Sequence, residues 1–222
     1  MALLSRCLAA FLLVVLLLAP APADAARLFT SGFEETDNIA NIEETNWNAL
    51  GSLDITIQTT TVRSGVYAAR IASGFAGNVG RYLSAAVTDG TYFVRLYFRK
   101  EAGNPAVARV IAQITNGALA DSVQVKIGTS SELILRNHVT GVEFTGPTIS
   151  SNVWYRIEVR HLISDTVGQI EGRVDGASAF GDGNFTGGDG TDADTLNTTV
   201  QRFFFGATAS LGADMFLDDI AI

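Results

Sequence analysis

The chain of 222 residues contains one cysteine, Cys7, two lysines, Lys100 and Lys126, and two histidines, His138 and His161. A lone cysteine excludes an internal disulfide, and thiol chemistry has no other candidate. After residue 25 no stretch is continuously apolar over the about 20 residues that a membrane helix needs, and no helical period stands out. Catalytic motifs are also missing. There is no E-x-D-x-E strand to hold two carboxylates about 5 Å apart for retaining glycoside hydrolysis, and no G-x-S-x-G for acyl transfer. Neither histidine has an aspartate or nucleophile at motif spacing. The net charge of −8 argues against nucleic acid as a partner.

The first residues read as a secretory signal. Arg6 supplies a positive start, Leu8 to Ala19 is an unbroken apolar run, and Ala23-Asp24-Ala25 is an A-x-A cleavage site. Residues 1–25 are therefore expected to be removed, leaving one domain over residues 26–222 in an extracellular or periplasmic setting, with no membrane span. Cys7 leaves with the signal. The basic residues fall from 15 by Arg6 and the acidic residues from 23 by Asp24, so the charge stays at −8. An exported domain without cystines must be held by its core, its hydrogen bonds and any metal it binds. That pattern favours a bacterial export route over a small disulfide-stapled module.

What the mature chain has in abundance is two-residue alternation. Val153, Tyr155, Ile157 and Val159 alternate with Trp154, Arg156, Glu158 and Arg160, and Ile170 and Val174 alternate with Gln169, Glu171 and Arg173, giving two half-buried antiparallel strands. Tyr92, Val94, Leu96 and Phe98 share one face of another strand, with Phe93, Arg95, Tyr97 and Arg99 on the other. Ala108, Val110, Ala112 and Ile114 are read as a core face, with Arg109 and Gln113 opposite. Further strands are expected at 28–29, 53–62, 66–71, 79–88, 123–127, 133–136, 200–207 and 215–222. About a dozen short strands without helices predict an all-β, two-sheet antiparallel β-sandwich. Residues 180–197, rich in Gly, Asp and Thr, read as a surface loop.

Several of these segments carry a resemblance. The Val153–Gly176 hairpin, with its W-x-x-(apolar)-x-(apolar) entry and its V-D-G end, resembles the late hairpin of the concanavalin A-like jelly rolls, the lectin, laminin-G-like and glucanase superfamily. Gly32-Phe33-Glu34, Val62-x-Ser64-Gly65-x-Tyr67-Ala68-Ala69-Arg70 and the Asp218-Asp219-Ile220 ending are similar to features of carbohydrate-binding sandwiches. In those proteins the paired termini hold a structural calcium ion. The resemblance thus implies Glu34 and Asp218 as oxygen ligands, completed by backbone carbonyls. The other reading of Asp218 is a carboxylate that caps backbone amides or pairs with an arginine, as a carboxylate on a core face must.

The superfamily also implies a glycan site on one sheet face. Arg95, Tyr97, Arg109, Gln113, Glu171 and Arg173 are the candidates for it, with arginine and glutamine donors for hydroxyls or carboxylates. The alternative is a solvated sheet stabilised by arginine–glutamate pairs. Gln113-Ile114-Thr115 resembles the Q-I-H strand of polysaccharide lyases, with threonine in the histidine position. Asp182-x-Asn184-x-Thr186-Gly187 matches half of a calcium loop, but Ala193 occupies the position of the bidentate glutamate, so an acidic surface loop is the reading adopted. Asn184-Phe185-Thr186 and Asn197-Thr198-Thr199 are glycosylation sequons. The function expected is non-catalytic, lectin-like carbohydrate binding outside the cell. The alternatives are a polysaccharide lyase or glycosidase of the same fold, and a structural or adhesive exoprotein. An exposed platform with Trp47, Phe93 or Tyr97 favours sugar, paired carboxylates in a cleft favour hydrolysis, and a flat apolar patch favours adhesion.

Overall fold

The computed structural model describes residues 28–34, 47, 49–50, 54–88, 90–116, 118, 121–164, 166, 168–176, 180–181 and 199–222. The signal segment with Cys7, and the 182–198 stretch with its half calcium loop and the asparagines of both sequons, lie outside the described residues. The elements are β1 (Thr30–Ser31), β2 (Ala49–Leu50), β3 (Ile55–Gln58), β4 (Ala68–Ile71), β5 (Gly77–Val87), β6 (Gly90–Lys100), β7 (Arg109–Thr115) and β8 (Asp121–Ile127). They continue with β9 (Glu132–Asn137), β10 (Glu143–Thr148), β11 (Tyr155–Ile163), β12 (Gln169–Val174), β13 (Phe180–Gly181), β14 (Val200–Ala207) and β15 (Met215–Ala221). No helix among them is long and apolar enough to cross a membrane.

The strands form two antiparallel sheets, as the alternation predicts. Sheet A runs β13-β12-β11-β6-β15-β4-β3 with β1 also on β15, and sheet B runs β10-β9-β8-β7-β14-β5-β2. The apolar faces of the two sheets meet in one core. Val94, Leu96 and Phe98 of β6, with Ile157 and Val159 of β11, face it from sheet A. Val123, Val125 and Ile127 of β8, with Phe203 and Phe205 of β14, face it from sheet B. Burying each such side chain contributes about 1.5–3 kcal/mol, and this is what makes the period-two pattern decisive.

Trp47 does not form an exposed platform. It is 1% exposed, stacked on Phe33 at 5.7 Å, with Phe29 at 4.8 Å and Phe205 at 6.0 Å edge-on. It therefore ties the first segment of the domain to sheet B. β10 is absent from the sequence expectations because Gly146 and Pro147 break its pattern. It is tolerated as the last strand of sheet B, where an unpaired edge has no need of the proline N–H.

Two irregularities displace side chains from the expected faces. A register shift between Val110 and Ala112 breaks the alternation of β7, so Val110 lies opposite Lys126 and Arg109 opposite buried Ile127. The predicted Val110 core position is thus an outer one, and Arg109 does not share the face of Gln113. In β15, Met215 and Leu217 point into the core, while Phe216 and Asp218 lie opposite Arg99 and Tyr97 on the outer side. Asp219 then adopts φ 44°, and the register shift returns Ile220 and Ile222 to the core. Asp218 is therefore not on the side of Ile220 and Ile222, as strict alternation would require.

Gly206 marks a close approach between β14 and β5. Its φ is 129°, and a Cβ there would stand 2.2 Å from the Gly77 carbonyl oxygen and 2.7 Å from the Asn78 Cα. Gly206→Ala is expected to lower stability by more than about 1 kcal/mol. A urea midpoint equal to that of the wild type would contradict it.

Candidate functional site

The six predicted glycan contacts divide between the sheets. Arg95 and Tyr97 on β6, with Glu171 and Arg173 on β12, belong to sheet A, whereas Gln113 and Arg109 on β7 belong to sheet B. No single surface holds all six.

On the outer side of sheet B the register builds a continuous transverse row. Phe204 lies opposite Gln113, Gln113 opposite Gln124, Gln124 opposite Arg136, and Arg136 opposite Glu143. Lys126 sits beside the row, its Nζ 2.6 Å from a Glu143 oxygen, and Arg136 Nε is 3.7 Å from the same oxygen. At the other end Tyr82 meets Phe204 edge-on at 5.8 Å, and the Arg202 guanidinium lies 4.7 Å above the Tyr82 ring. The face thus grades from an aromatic corner, through two carboxamides, to a charged cluster. Among the described residues the Gln113 side chain has no hydrogen-bond partner, so its donor and acceptor are both unspent there. Gln124 is 6% exposed, so it is the Gln113 carboxamide that offers a donor and an acceptor for hydroxyls, beside an aromatic surface for a sugar ring.

Sequence reasoning found only Gln113 in this row. The alternation of Val123-Gln124-Val125-Lys126-Ile127 marks Gln124 and Lys126 as outward, but nothing local shows that they stand beside Gln113. Thr115, in the histidine position of the lyase resemblance, is fully buried and gives its hydroxyl to the Asn116 carbonyl at 3.1 Å.

His161 lies elsewhere, inside the core and fully buried. Its Nδ1 is hydrogen-bonded to the Tyr92 hydroxyl, and its ring meets Tyr92 edge-on at 5.1 Å. Burial pushes the Tyr92 phenol well above its ordinary value and the imidazole down to about 3. The phenol therefore keeps its proton and donates it to Nδ1. That assignment places the ring proton on Nε2, which has no partner. His138 is exposed in the turn after β9. His161, on sheet A and facing the core, is not available to the row on sheet B.

The remaining predicted pair, Glu34 and Asp218, converges on the 63–67 turn. The Asp218 Oδ2 accepts the amides of Arg63 at 2.9 Å and Ser64 at 3.2 Å, while Oδ1 accepts that of Asp219 at 2.8 Å. The Glu34 carboxylate accepts the amides of Val66 at 2.9 Å and Tyr67 at 3.1 Å, and Asp219 accepts the Ser64 hydroxyl at 2.8 Å. Burial pushes the Asp218 carboxyl up to about 6 against the lowering effect of those three amides, and the Asp219 charge adds to the rise. The oxygens thus face N–H donors, as in the amide-capping reading. Among the described residues no group of three or more metal-ligating side chains converges. As arranged, both carboxylates are spent on backbone amides, and a calcium ion there would have to displace those donors.

Lys100 is a second unusual buried group. It is 2% exposed, and its ammonium donates to the Gly103 carbonyl at 2.8 Å, to Asn104 Oδ1 at 3.1 Å and to Ser151 Oγ at 3.1 Å. Burial lowers its pKa. Three neutral oxygens satisfy its three protons, so it fastens the loops at one end of the sandwich.

These sheets, their order and their shared core define the concanavalin A-like jelly-roll fold. The chain is similar to the cellulose-induced protein Cip1, with a TM-score of 0.63 and 14% identity over 86% of this chain and 95% of that one. It is also similar to alginate lyase vAL-1 from Chlorella virus, with a TM-score of 0.54 and 9% identity over 88% and 98% of the two chains. Family 7 alginate lyase A1-II′ gives a TM-score of 0.51 and 12% identity over 76% and 79%. At these identities the likeness is one of fold. No protein-family model and no curated protein matches the sequence.

Proposed function

We propose that this is a secreted, lectin-like sandwich that binds polysaccharide on the outer face of sheet B without cleaving it. The observation that carries the reading is the Phe204-Gln113-Gln124-Arg136-Glu143 row, with its unspent Gln113 carboxamide and its Tyr82 corner. That one solved protein of this fold is named cellulose-induced and others are alginate lyases supports a glycan partner. A lyase of the kind Gln113-Ile114-Thr115 resembles needs a base beside Gln113, and Thr115 offers only a buried hydroxyl already spent on a carbonyl. An adhesive role has less to support it, because the exposed large apolar side chains among the described residues, Leu28, Val66, Phe75, Phe93, Val107, Val139 and Val153, come from separate segments of the chain.

Gln113→Ala/Arg136→Ala is expected to weaken polysaccharide retention at least about tenfold, the equivalent of one charged and one neutral hydrogen bond. Pull-down and calorimetry on a panel of polysaccharides, with product release assayed in the same samples, provide the check. Unchanged retention would move the site off this face, and released product would overturn the non-catalytic reading.

Structural calcium at Glu34 and Asp218 stands as a separate proposal, and it requires both carboxylates to exchange backbone amides for the cation. It predicts that a chelator lowers the melting temperature of the wild type and leaves that of Asp218→Ala unchanged. An equal response from both proteins disposes of it.

A further inference from the structure

We propose that the outer face of sheet A is a second binding surface, for a linear acidic polysaccharide bearing carboxylate or sulfate groups. It is independent of the site on sheet B, because the two outer faces lie on opposite sides of the core.

The inference begins with register. On β6 the outward positions are Phe93, Arg95, Tyr97 and Arg99, and on β11 Arg160 lies opposite Phe93, Glu158 opposite Arg95, and Arg156 opposite Tyr97. Arginines therefore occupy every successive level along the β6–β11 seam, as Arg160, Arg95, Arg156 and Arg99, alternating between the two strands. Each level is two residues, about 7 Å, from the next. Arg173 lies beyond Glu158 on β12. The outward faces of these three strands thus carry five arginines against Glu158 and Glu171, in a chain whose net charge is −8.

Three of the five are engaged internally, Arg156 and Arg173 with glutamates and Arg160 through Nη1 to Gln169 Oε1 at 3.2 Å, which leaves Arg95 and Arg99. Glu158 is 3.3 Å from Arg156, and Glu171 is 3.5 Å from Arg173. Arg95 stands opposite Glu158 but forms no ion pair or hydrogen bond, and its Nε has no partner. Arg99 donates one bond, from Nη2 to Asn152 at 3.2 Å, and its Nη1 has no partner. Two cations on one strand face therefore hold protons unspent on internal partners; Arg95 Nε and Arg99 Nη1 are themselves buried, so an anion would be met by the remaining guanidinium nitrogens.

The occupant follows from what lies between the cations. Phe93 is 51% exposed, and Tyr97 carries the Arg63 guanidinium 4.6 Å above its ring. Aromatic faces interleaved with guanidinium groups suit a chain of sugar rings that carries an anion at regular intervals. A polyphosphate of higher charge density meets the repulsion of the whole acidic protein.

The test measures binding of the whole secreted protein to polygalacturonate, heparin, neutral dextran and oligothymidylate. The variants are Arg95→Gln/Arg99→Gln, Arg95→Lys/Arg99→Lys and Gln113→Ala/Arg136→Ala, with the melting temperature of each recorded. The wild type is expected to retain at least one acidic glycan in a salt-dependent way. The glutamine variant should bind it at least tenfold more weakly, the lysine variant should fall between, and the sheet B variant should keep wild-type affinity for it. Which of carboxylate or sulfate is retained identifies the anion. Equal affinity of the wild type and the glutamine variant, no retention of either acidic glycan, or oligothymidylate bound as tightly as the glycans would each overturn the proposal. Loss of acidic-glycan binding in the sheet B variant alone would assign it to the other face.

Discussion

Acidification from pH 6.5 to pH 3 is expected to cost the fold about 5 kcal/mol through His161, and a Tyr92→Phe/His161→Leu variant should be spared that loss. The imidazole is neutral and fully buried, with a pKa of about 3 when folded against 6.5 as the ordinary value. Between those limits the unfolded chain binds one more proton than the folded one. Stability is therefore fully present above pH 6.5 and falls by about 1.4 kcal/mol per unit as the pH drops towards 3. Asp218 acts in the opposite sense. Its folded value of about 6 exceeds the ordinary 3.8, so the folded chain takes up that proton first and gains stability as the pH falls across that interval.

The two effects oppose one another between pH 3.8 and pH 6. Wild-type stability should be nearly level there, apart from other titrations, with the loss from His161 concentrated near either end of its range. The Tyr92→Phe/His161→Leu variant removes the imidazole together with the hydroxyl that would be left unsatisfied. Its stability should fall less than that of the wild type between pH 7 and pH 4, because the His161 contribution is gone, while Asp218 favours the lower pH and Asp214, held low against the effect of burial by the Ser73 amide and Arg70, opposes it. Urea midpoints measured every half unit of pH give the test. A variant whose midpoint follows the same profile as the wild type would show that His161 does not titrate in this way.

Trp47→Ala is expected to destabilise the protein by about 3–5 kcal/mol, the usual cost of emptying a large aromatic site in a close-packed core. The indole touches three phenylalanine rings, Phe29, Phe33 and Phe205, which come from the opening segment and from β14. Truncation would leave a void lined by rings that cannot all close on it. Trp47→Phe should cost much less, since it keeps aromatic contacts and removes an indole N–H that has no hydrogen-bond partner. The denaturant midpoints of the two variants provide the comparison. An alanine variant within 1 kcal/mol of the phenylalanine variant would mean that the site collapses freely.

How far the sequence reaches can be seen strand by strand. The alternation over 91–100 and 155–174 identifies β6, β11 and β12, and it places Arg95, Tyr97, Glu171 and Arg173 on outward faces. It cannot say which strands are neighbours. β6 and β7 follow one another in sequence yet enter different sheets, and for that reason Gln113 is separated from Arg95. Pairing is decided by contacts between distant segments, and the residues opposite Gln113 come from β8 and β14.

Irregular backbone is the other source of error. In β7 apolar residues continue through the register shift, so Val110 keeps the appearance of a core residue. In β15 a left-handed Asp219, a conformation that aspartate tolerates better than most residues, reverses the faces within one step. Neither Asp219 nor Val110 carries a composition that would announce the change. The nearness of Glu34 and Asp218 was legible from the termini they resemble, but the amides of residues 63–67 that occupy them were not.

The enclosure of Lys100 has a practical consequence for any surface-based binding experiment. The chain has only two ε-amines, and this one is sealed among neutral oxygens, so an amine-reactive support can reach only Lys126 or an α-amino group. Lys126 sits beside the Gln113 row, 2.6 Å from Glu143. Attachment through it would press sheet B against the support and leave the arginine seam of sheet A facing solution. Protein coupled in that orientation would sense one face while hiding the other, and the order in which ligands are lost on coupling would report which face each of them uses.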